Sequence, residues 1–125
     1  MTNNLIELIR KNNIEGIKKF ISEGGDINLQ DKDGETGLIC AVYWLHVEIV
    51  KLLLQAGARQ DLRGYRNKTA LEFASLTEYL IKFDLSDKET NGILTETEKN
   101  ELLNQLSTIQ TIIELLTTKK TTNGK

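Results

Sequence analysis

One stretch of this 125-residue chain has the residue types and spacing of a cation loop. In Asp87-x-Glu89-x-Asn91-Gly92-x-Leu94-x-x-x-Glu98, side-chain oxygens fall at positions 1, 3, 5 and 12 of a twelve-residue segment, with glycine at 6. Calcium chemistry asks for this oxygen-rich, sharply turned arrangement. Against it, Glu89 is longer than the side chain usual at its place, Lys99 interrupts the apolar start of the following helix, and no second loop exists to pair with. A helix hairpin explains the same residues without an ion: its turn needs Gly92, and its second helix is capped by Thr95 with Glu98. The single cysteine, Cys40, has no second thiol at metal-ligand spacing and reads as a small packed side chain. The single histidine, His46, has no nucleophile arranged beside it for a hydrolytic triad. No GxGxxG or Walker pattern is present. The residues give no reason to expect an enzyme, a cofactor or a catalytic metal.

Composition narrows the class further. Sixteen basic against eighteen acidic side chains leave a net charge of −2, and a general nucleic-acid binder would carry a basic excess. No apolar run approaches the roughly 18 residues of a membrane span. Met1-Thr2-Asn3-Asn4 lacks the basic start and apolar core of a signal peptide. With one cysteine and no internal disulfide, the expectation is a cytoplasmic protein in a reducing compartment. The chain has no proline, which is odd because turns and helix starts normally use some.

The elements that position these residues emerge from an internal repeat. At an offset of 33, Asp31-Lys-Asp-Gly34-Glu-Thr36-Gly-Leu38-Ile-Cys-Ala41 lies over Gly64-Tyr-Arg-Asn67-Lys-Thr69-Ala-Leu71-Glu-Phe-Ala74. Gly24-Gly25-Asp26-Ile27-Asn28 lies over Gly57-Ala58-Arg59-Gln60-Asp61, while Leu5, Leu8 and Glu15 precede Leu38, Ala41 and Glu48. A period of this length marks stacked supersecondary units. In the middle unit Thr36 caps a short helix whose packed side is Leu38, Ala41 and Val42. Val47, Ile49, Val50, Leu52, Leu53 and Leu54 then form a second helix, apolar on most sides and therefore buried between neighbours. Gly57 suits its left-handed cap, and Asp33-Gly34 a tight turn at a hairpin tip. A single unit cannot bury both helices, so the units must stack.

The middle unit resembles an ankyrin repeat. Asp31-x-x-Gly34-x-Thr36-x-Leu38-x-x-Ala41, then His46-Val47-Glu48-Ile49-Val50-Lys51-Leu52-Leu53-Leu54-Gln55-Ala56-Gly57-Ala58, follows that pattern closely. The first unit fits through Leu5, Leu8, Ile17, Phe20, Ile21 and Gly24 to Asn28. The third keeps its opening, Asn67 to Leu71 with Ala74. The resemblance covers residues 1 to about 77. Gly37 and Ala70 stand where the family has proline, and Ile39 and Glu72 where it has histidine. Leu45 and Glu78 stand where a glycine ends the first helix. Leucine tolerates a left-handed backbone poorly, so the middle unit's first helix either ends differently or carries strain. In the third unit the helix is expected to run on from about Thr69 to Leu85.

Beyond Leu85 a polar stretch, Ser86 to Gly92, precedes a long amphipathic helix. Leu102, Leu106, Ile109, Ile113 and Leu116 recur at helical spacing, widened by Leu103, Ile112 and Leu115. Ile112-Ile113-Glu114-Leu115-Leu116 mimics Ile49-Val50-Lys51-Leu52-Leu53, so this helix replaces the second helix of the third repeat. The expected fold is all-α: an ankyrin-type helix-turn-helix solenoid of three repeats with short β-hairpin loops and an elongated C-terminal helix pair. It occupies residues 1–118 as one domain, with repeats at about 1–30, 31–63 and 64–118, and a flexible tail at 119–125.

The resemblance implies a binding face made of hairpin tips and the exposed sides of the first helices. Carried over by position, the tips contribute Lys32, Asp33 and Glu35, then Tyr65, Arg66 and Lys68. The helices contribute Arg10 and Lys11, then Tyr43 and Trp44, then Leu76 and Thr77. The packed side set by Leu38, Ala41 and Val42 independently turns Tyr43 and Trp44 partly outward. Exposed aromatics and arginine are the residues that most often carry interface energy. Arg10, Lys11, Lys32, Arg66 and Lys68 suggest a mildly basic face suited to an acidic partner protein. The expected function is non-catalytic binding of one partner protein, with an inhibitor or immunity-type role as its sharper form. Two alternatives stand beside it. One is a calcium-responsive helix pair using an EF-hand-like loop at 87–98. The other is a dimer in place of a monomer, formed through the C-terminal helices, whose second stripe (Phe73, Leu76, Leu80, Phe83) is not all covered.

Overall fold

A computed structural model describes residues 4–123. Among the described residues six α-helices carry the fold: α1 (Asn4–Arg10), α2 (Ile14–Ser22), α3 (Gly37–Tyr43), α4 (Val47–Gln55), α5 (Ala70–Thr90) and α6 (Glu96–Asn123), with a 3₁₀ turn at Tyr65–Asn67 before α5. The period of 33 is kept at every boundary of the first two units: α3 starts and ends 33 residues after α1, and α4 does so after α2. Helix α5 also starts 33 residues after α3. The helices stack as first helices in one layer, α1 against α3 against α5, and second helices in another, α2 against α4 against α6. Their buried faces meet between the layers, where Ile9, Ile17, Leu38, Val42, Ile49, Val50, Leu53, Ile109, Ile112 and Leu116 are almost fully removed from solvent.

Local chemistry starts and stops these helices as expected. The Thr36 hydroxyl accepts from the Ile39 amide (3.2 Å), and Thr69 with Glu72 forms a reciprocal capping box. Five helices end in the same turn. Asn12, Gly24, Leu45, Gly57 and Gly92 are left-handed, and each is closed by paired backbone bonds such as Leu45 N–H to Val42 O and His46 N–H to Ala41 O. Leu45 therefore adopts the strained alternative, with φ 60°, and it is held there by partial burial against the core. In the third unit Glu78 occupies the corresponding place, ion-paired to Lys82 one turn later, and nothing interrupts α5.

The structure also corrects expectations. Helix α5 runs to Thr90, five residues past the predicted end, because Ser86 to Thr90 contains no helix breaker and Gly92 is the residue that takes the left-handed turn. Helical backbone in α6 continues to Asn123. Thr117 to Thr122 includes neither glycine nor proline; Gly124 and Lys125 lie outside the described residues. The predicted β-hairpin loops form no strand among the described residues. Each tip is instead a tight turn closed by two backbone bonds, Asp31 N–H to Glu35 O and Gly34 N–H to Asp31 O in the first, Gly64 N–H to Lys68 O and Asn67 N–H to Gly64 O in the second. A ladder needs successive extended pairs, and only one pair per tip is in register. At the start of α6 Thr95 accepts from the Glu98 amide, and the Glu98 carboxylate, lowered in pKa by Lys88 and by the Thr95 backbone N–H, also reaches Lys88 (3.1 Å) on α5.

Gly37 explains one missing proline. A Cβ there would lie 3.0 Å from both Leu5 Cδ2 and Ile9 Cδ1. Helix α1 rests on the first turn of α3 so closely that a larger residue there would press on the ends of both side chains. The glycine serves as the seat of the neighbouring repeat.

His46 precedes α4 with its Nε2 buried and without a hydrogen-bond partner. Burial lowers its pKa below the ordinary 6.5, so folding favours the neutral ring. Its contribution to stability is therefore complete above about pH 6.5 and is lost as the pH falls below that value. Urea midpoints measured between pH 7.5 and 5.5 should fall for the native chain and fall less for His46→Gln.

Candidate protein-binding groove

The predicted face divides into a built part and a scattered part. Tyr43 and Trp44, at the end of α3, project outward at 57% and 43% exposure. Their rings meet edge to face at 5.1 Å, and Tyr43 also stacks on Phe73 of α5 at 6.2 Å and 17°. These contacts fix Tyr43 in place without burying it. Tyr43, Arg66, Leu76 and Thr77 converge on one groove of about 650 Å³. Phe73, Leu80, Ile81, Phe83, Asp84, Leu102 and Gln105 complete its lining. Thr77 donates to the Phe73 carbonyl (3.0 Å), which leaves its methyl as the side chain's apolar end. Arg66 sits in the left-handed region at φ 57° within the 3₁₀ turn, and this conformation brings it to the groove's edge. The Tyr65 side chain lies outside the described residues.

The remaining predicted residues stand elsewhere. Arg10 and Lys11 are exposed at the end of α1, and both pair with Glu7, Lys11 at 3.5 Å. Lys32 and Asp33 are exposed on the first tip and Glu35 is half-buried there; Lys68 is half-buried on the second tip. Asp31 braces the first tip by accepting from the Asp33 and Glu35 amides. Burial, with Asp31 and Asp33 adding to it, pushes the Glu35 carboxyl up. The mildly basic face is thus corrected. Glu7 offsets Arg10 and Lys11, the first tip carries three acids around Lys32, and the second tip carries Arg66 and Lys68, with Glu72 near Lys68. Only an ion pair that is close in space, not in sequence motif, reveals this.

Cys40 is buried beneath Trp44, whose indole hydrogen-bonds its sulfur. Burial first, then Glu35 and Asp31, push the thiol up to about 11, so it stays protonated and inert. The cation-loop reading is overturned. Asp87 and Glu89 lie on the last helical turns of α5, where successive side chains diverge around the axis and cannot converge on one ion. Glu98 is engaged by Lys88, which lowers its pKa. Among the described residues no group of three His, Cys, Asp or Glu could hold a metal. Likewise, no helix of the described residues is long and apolar enough to cross a membrane.

Sequence reasoning missed Leu80, Phe83, Asp84, Leu102 and Gln105 as groove residues. Leu76, Leu80 and Phe83 at spacings of 4 and 3 already mark one face of α5, but only the docking of α6 shows that this face adjoins Tyr43.

Two layers of antiparallel helix pairs at a 33-residue spacing, joined by tight tips, define an ankyrin-type solenoid with a groove along its first helices. Residues 5–92 match the family model described as Ankyrin repeats (3 copies), and the chain belongs to the ankyrin repeat family. Among relatives, alpha-latrotoxin-Lg1a of Latrodectus geometricus is 36% identical over 77 residues, covering 54% of this chain and 6% of that protein. An ankyrin repeat protein of Fowlpox virus is 32% identical over 74 residues, 59% of this chain and 10% of its own length. One of Acanthamoeba polyphaga mimivirus is 33% identical over 64 residues, 51% of this chain and 40% of its own. The matches span 6% to 40% of the length of these relatives. Ankyrin repeats generally act as non-catalytic modules of protein–protein interaction.

Proposed function

We propose that this chain is a non-catalytic module that holds one partner protein in the groove between Tyr43 and Phe83. The observation that carries this reading is the convergence of Tyr43, Arg66, Leu76 and Thr77 on one apolar-floored groove. An apolar floor with a few polar groups at its edge is how a binding site combines affinity with orientation. The basic second tip, with Arg66 and Lys68, suits acidic side chains of the partner at that end, through steering more than affinity. An inhibitor or immunity-type role, in which the partner's own active site is covered, fits a compact surface of this kind. A cytoplasmic setting fits the reduced, buried Cys40.

The test is Tyr43→Ala with Trp44→Ala. Both side chains are exposed, so the double variant should keep its circular dichroism spectrum. Bound proteins captured from lysate and identified by mass spectrometry should be lost, with affinity for a captured partner reduced by about 2 kcal/mol or more. Unchanged capture would remove the groove from consideration.

A further inference from the structure

In the turn after α5, Asn91 and Gly92 carry a chemistry that needs no ion. An asparagine side chain can close on the peptide nitrogen that follows it, and glycine leaves that nitrogen unshielded because it has no Cβ. Two asparagines of the chain precede glycine, Asn91 and Asn123; the second pair reaches beyond the described residues. At the first, both residues are exposed. A Cβ on Gly92 would meet nothing within 4 Å, so the space beside its nitrogen is open. The Asn91 carboxamide makes no hydrogen bond among the described residues and is free to rotate. Asn91 ends α5 at φ −83° and ψ −2°, and Gly92 turns left-handed at φ 71°. Two bonds close this turn, Gly92 N–H to Glu89 O (3.2 Å) and Ile93 N–H to Lys88 O (3.1 Å). The first holds the nitrogen that would react, at the long end of the hydrogen-bond range, and helix ends open at little cost.

We propose that Asn91-Gly92 is a site of spontaneous deamidation, which places a carboxylate on the C-cap of α5 and loosens the hairpin between α5 and α6. When the turn opens, the Gly92 nitrogen gives up its proton to hydroxide and attacks Asn91 Cγ. The N–Cγ bond forms, the Cγ–Nδ2 bond breaks, and the amide leaves as ammonia. Water then opens the cyclic imide at either carbonyl. Cleavage at Cγ yields aspartate. Cleavage at the main-chain carbonyl yields isoaspartate, in which the chain runs through the former side chain and is one methylene longer. No oxidant or reductant takes part.

Either product acts against the cap. A negative charge at a helix C-terminus opposes the helix dipole. The last turns of α5 already carry Asp84, Asp87 and Glu89, and Lys88 is shared between Asp84 (3.7 Å) and Glu98 (3.1 Å). The extra methylene of isoaspartate also displaces Gly92 and Ile93 from the Glu89 and Lys88 carbonyls, whose bonds end the helix. Helix α5 is thereby weakened at the end from which the chain turns back into α6. The site lies outside the groove, so its chemistry does not depend on a partner.

Mass spectrometry reads the site directly, on full chain held folded for weeks at mildly alkaline pH and cut with trypsin beside fresh chain. The fragment from Glu89 to Lys99 should gain about 1 Da, the difference between an amide and an acid, and should accept methyl groups from an isoaspartyl methyltransferase. The modified fraction should rise with pH, because hydroxide removes the nitrogen's proton. Asn91→Gln, whose longer side chain must close a larger and less favourable ring, should keep the mass of that fragment. Aged native chain and fresh Asn91→Asp should both melt about 1–5 °C below fresh native chain, whereas aged Asn91→Gln should melt as it did when fresh. A fragment whose mass stays constant in the native chain overturns the proposal. So does an Asn91→Asp chain that melts with the native one, because the cap is then indifferent to the charge. Equal loss in aged native and aged Asn91→Gln chains would trace the loosening to another residue and overturn it as well.

Discussion

Gly64→Ala is expected to lower the unfolding free energy by about 1–3 kcal/mol, the range for overpacking a rigid contact. A methyl group there would lie 2.7 Å from the Gly34 carbonyl oxygen, 2.9 Å from Ile39 Cδ1 and 3.2 Å from Glu35 Cα. Two of these three atoms are main chain, and they cannot swing aside. Gln30 bolts the same two turns together, donating from one Nε2 to Gly34 O (2.8 Å) and Arg63 O (2.9 Å). Forcing them apart therefore loosens several bonds together. Urea titration of the variant beside the native chain measures the loss, and a change below about 0.5 kcal/mol would show that the turns do not stack this closely.

Ile112→Ala should cost about 2–5 kcal/mol, as deletion of a fully buried branched side chain does. Ile109, Ile112 and Leu116 are all 0% exposed, on the helix that lies against both α4 and α5. They complete the burial that α4, apolar on most of its surface, cannot find on the α2 side alone. A domain of this size has roughly 5–15 kcal/mol in total, so the melting temperature should drop by about 10 °C or more. Leu103→Ala, on the same helix but 43% exposed, should shift it only slightly. Equal losses at the two positions would mean that α6 does not dock as described.

Most of the architecture was legible because the repeat writes it twice. Thr36 and Thr69 announce helix starts, Gly24 and Gly57 helix ends, and both are local signals that a chain offset reveals. What was illegible depends on neighbours in space. Gly37 read only as a replacement for the family's proline, while its contact with Leu5 and Ile9 depends on the neighbouring repeat. Arg10 and Lys11 read as a basic surface until Glu7 was found between them. Asp87 and Glu89 read as ligands because spacing counts residues along the chain, whereas helix continuation to Thr90 turns those residues away from one another. Within the groove, Tyr43 and Leu76 were found through their positions in a repeat. Leu102 and Gln105 belong to the enlarged unit, which has no repeat partner from which to infer them.

The uninterrupted passage of α5 through Glu78 has a consequence for construction. In a regular solenoid each unit is an interchangeable tile, and another can be laid after the last. Here the third unit is a bookend, because the turn that would have kept the lattice in phase has been absorbed into a helix about 31 Å long. Further tiles of 33 residues would have to be inserted between the second unit and the third. There they would lengthen the stack while leaving the far wall of the groove, α5 with α6, as a fixed terminal piece.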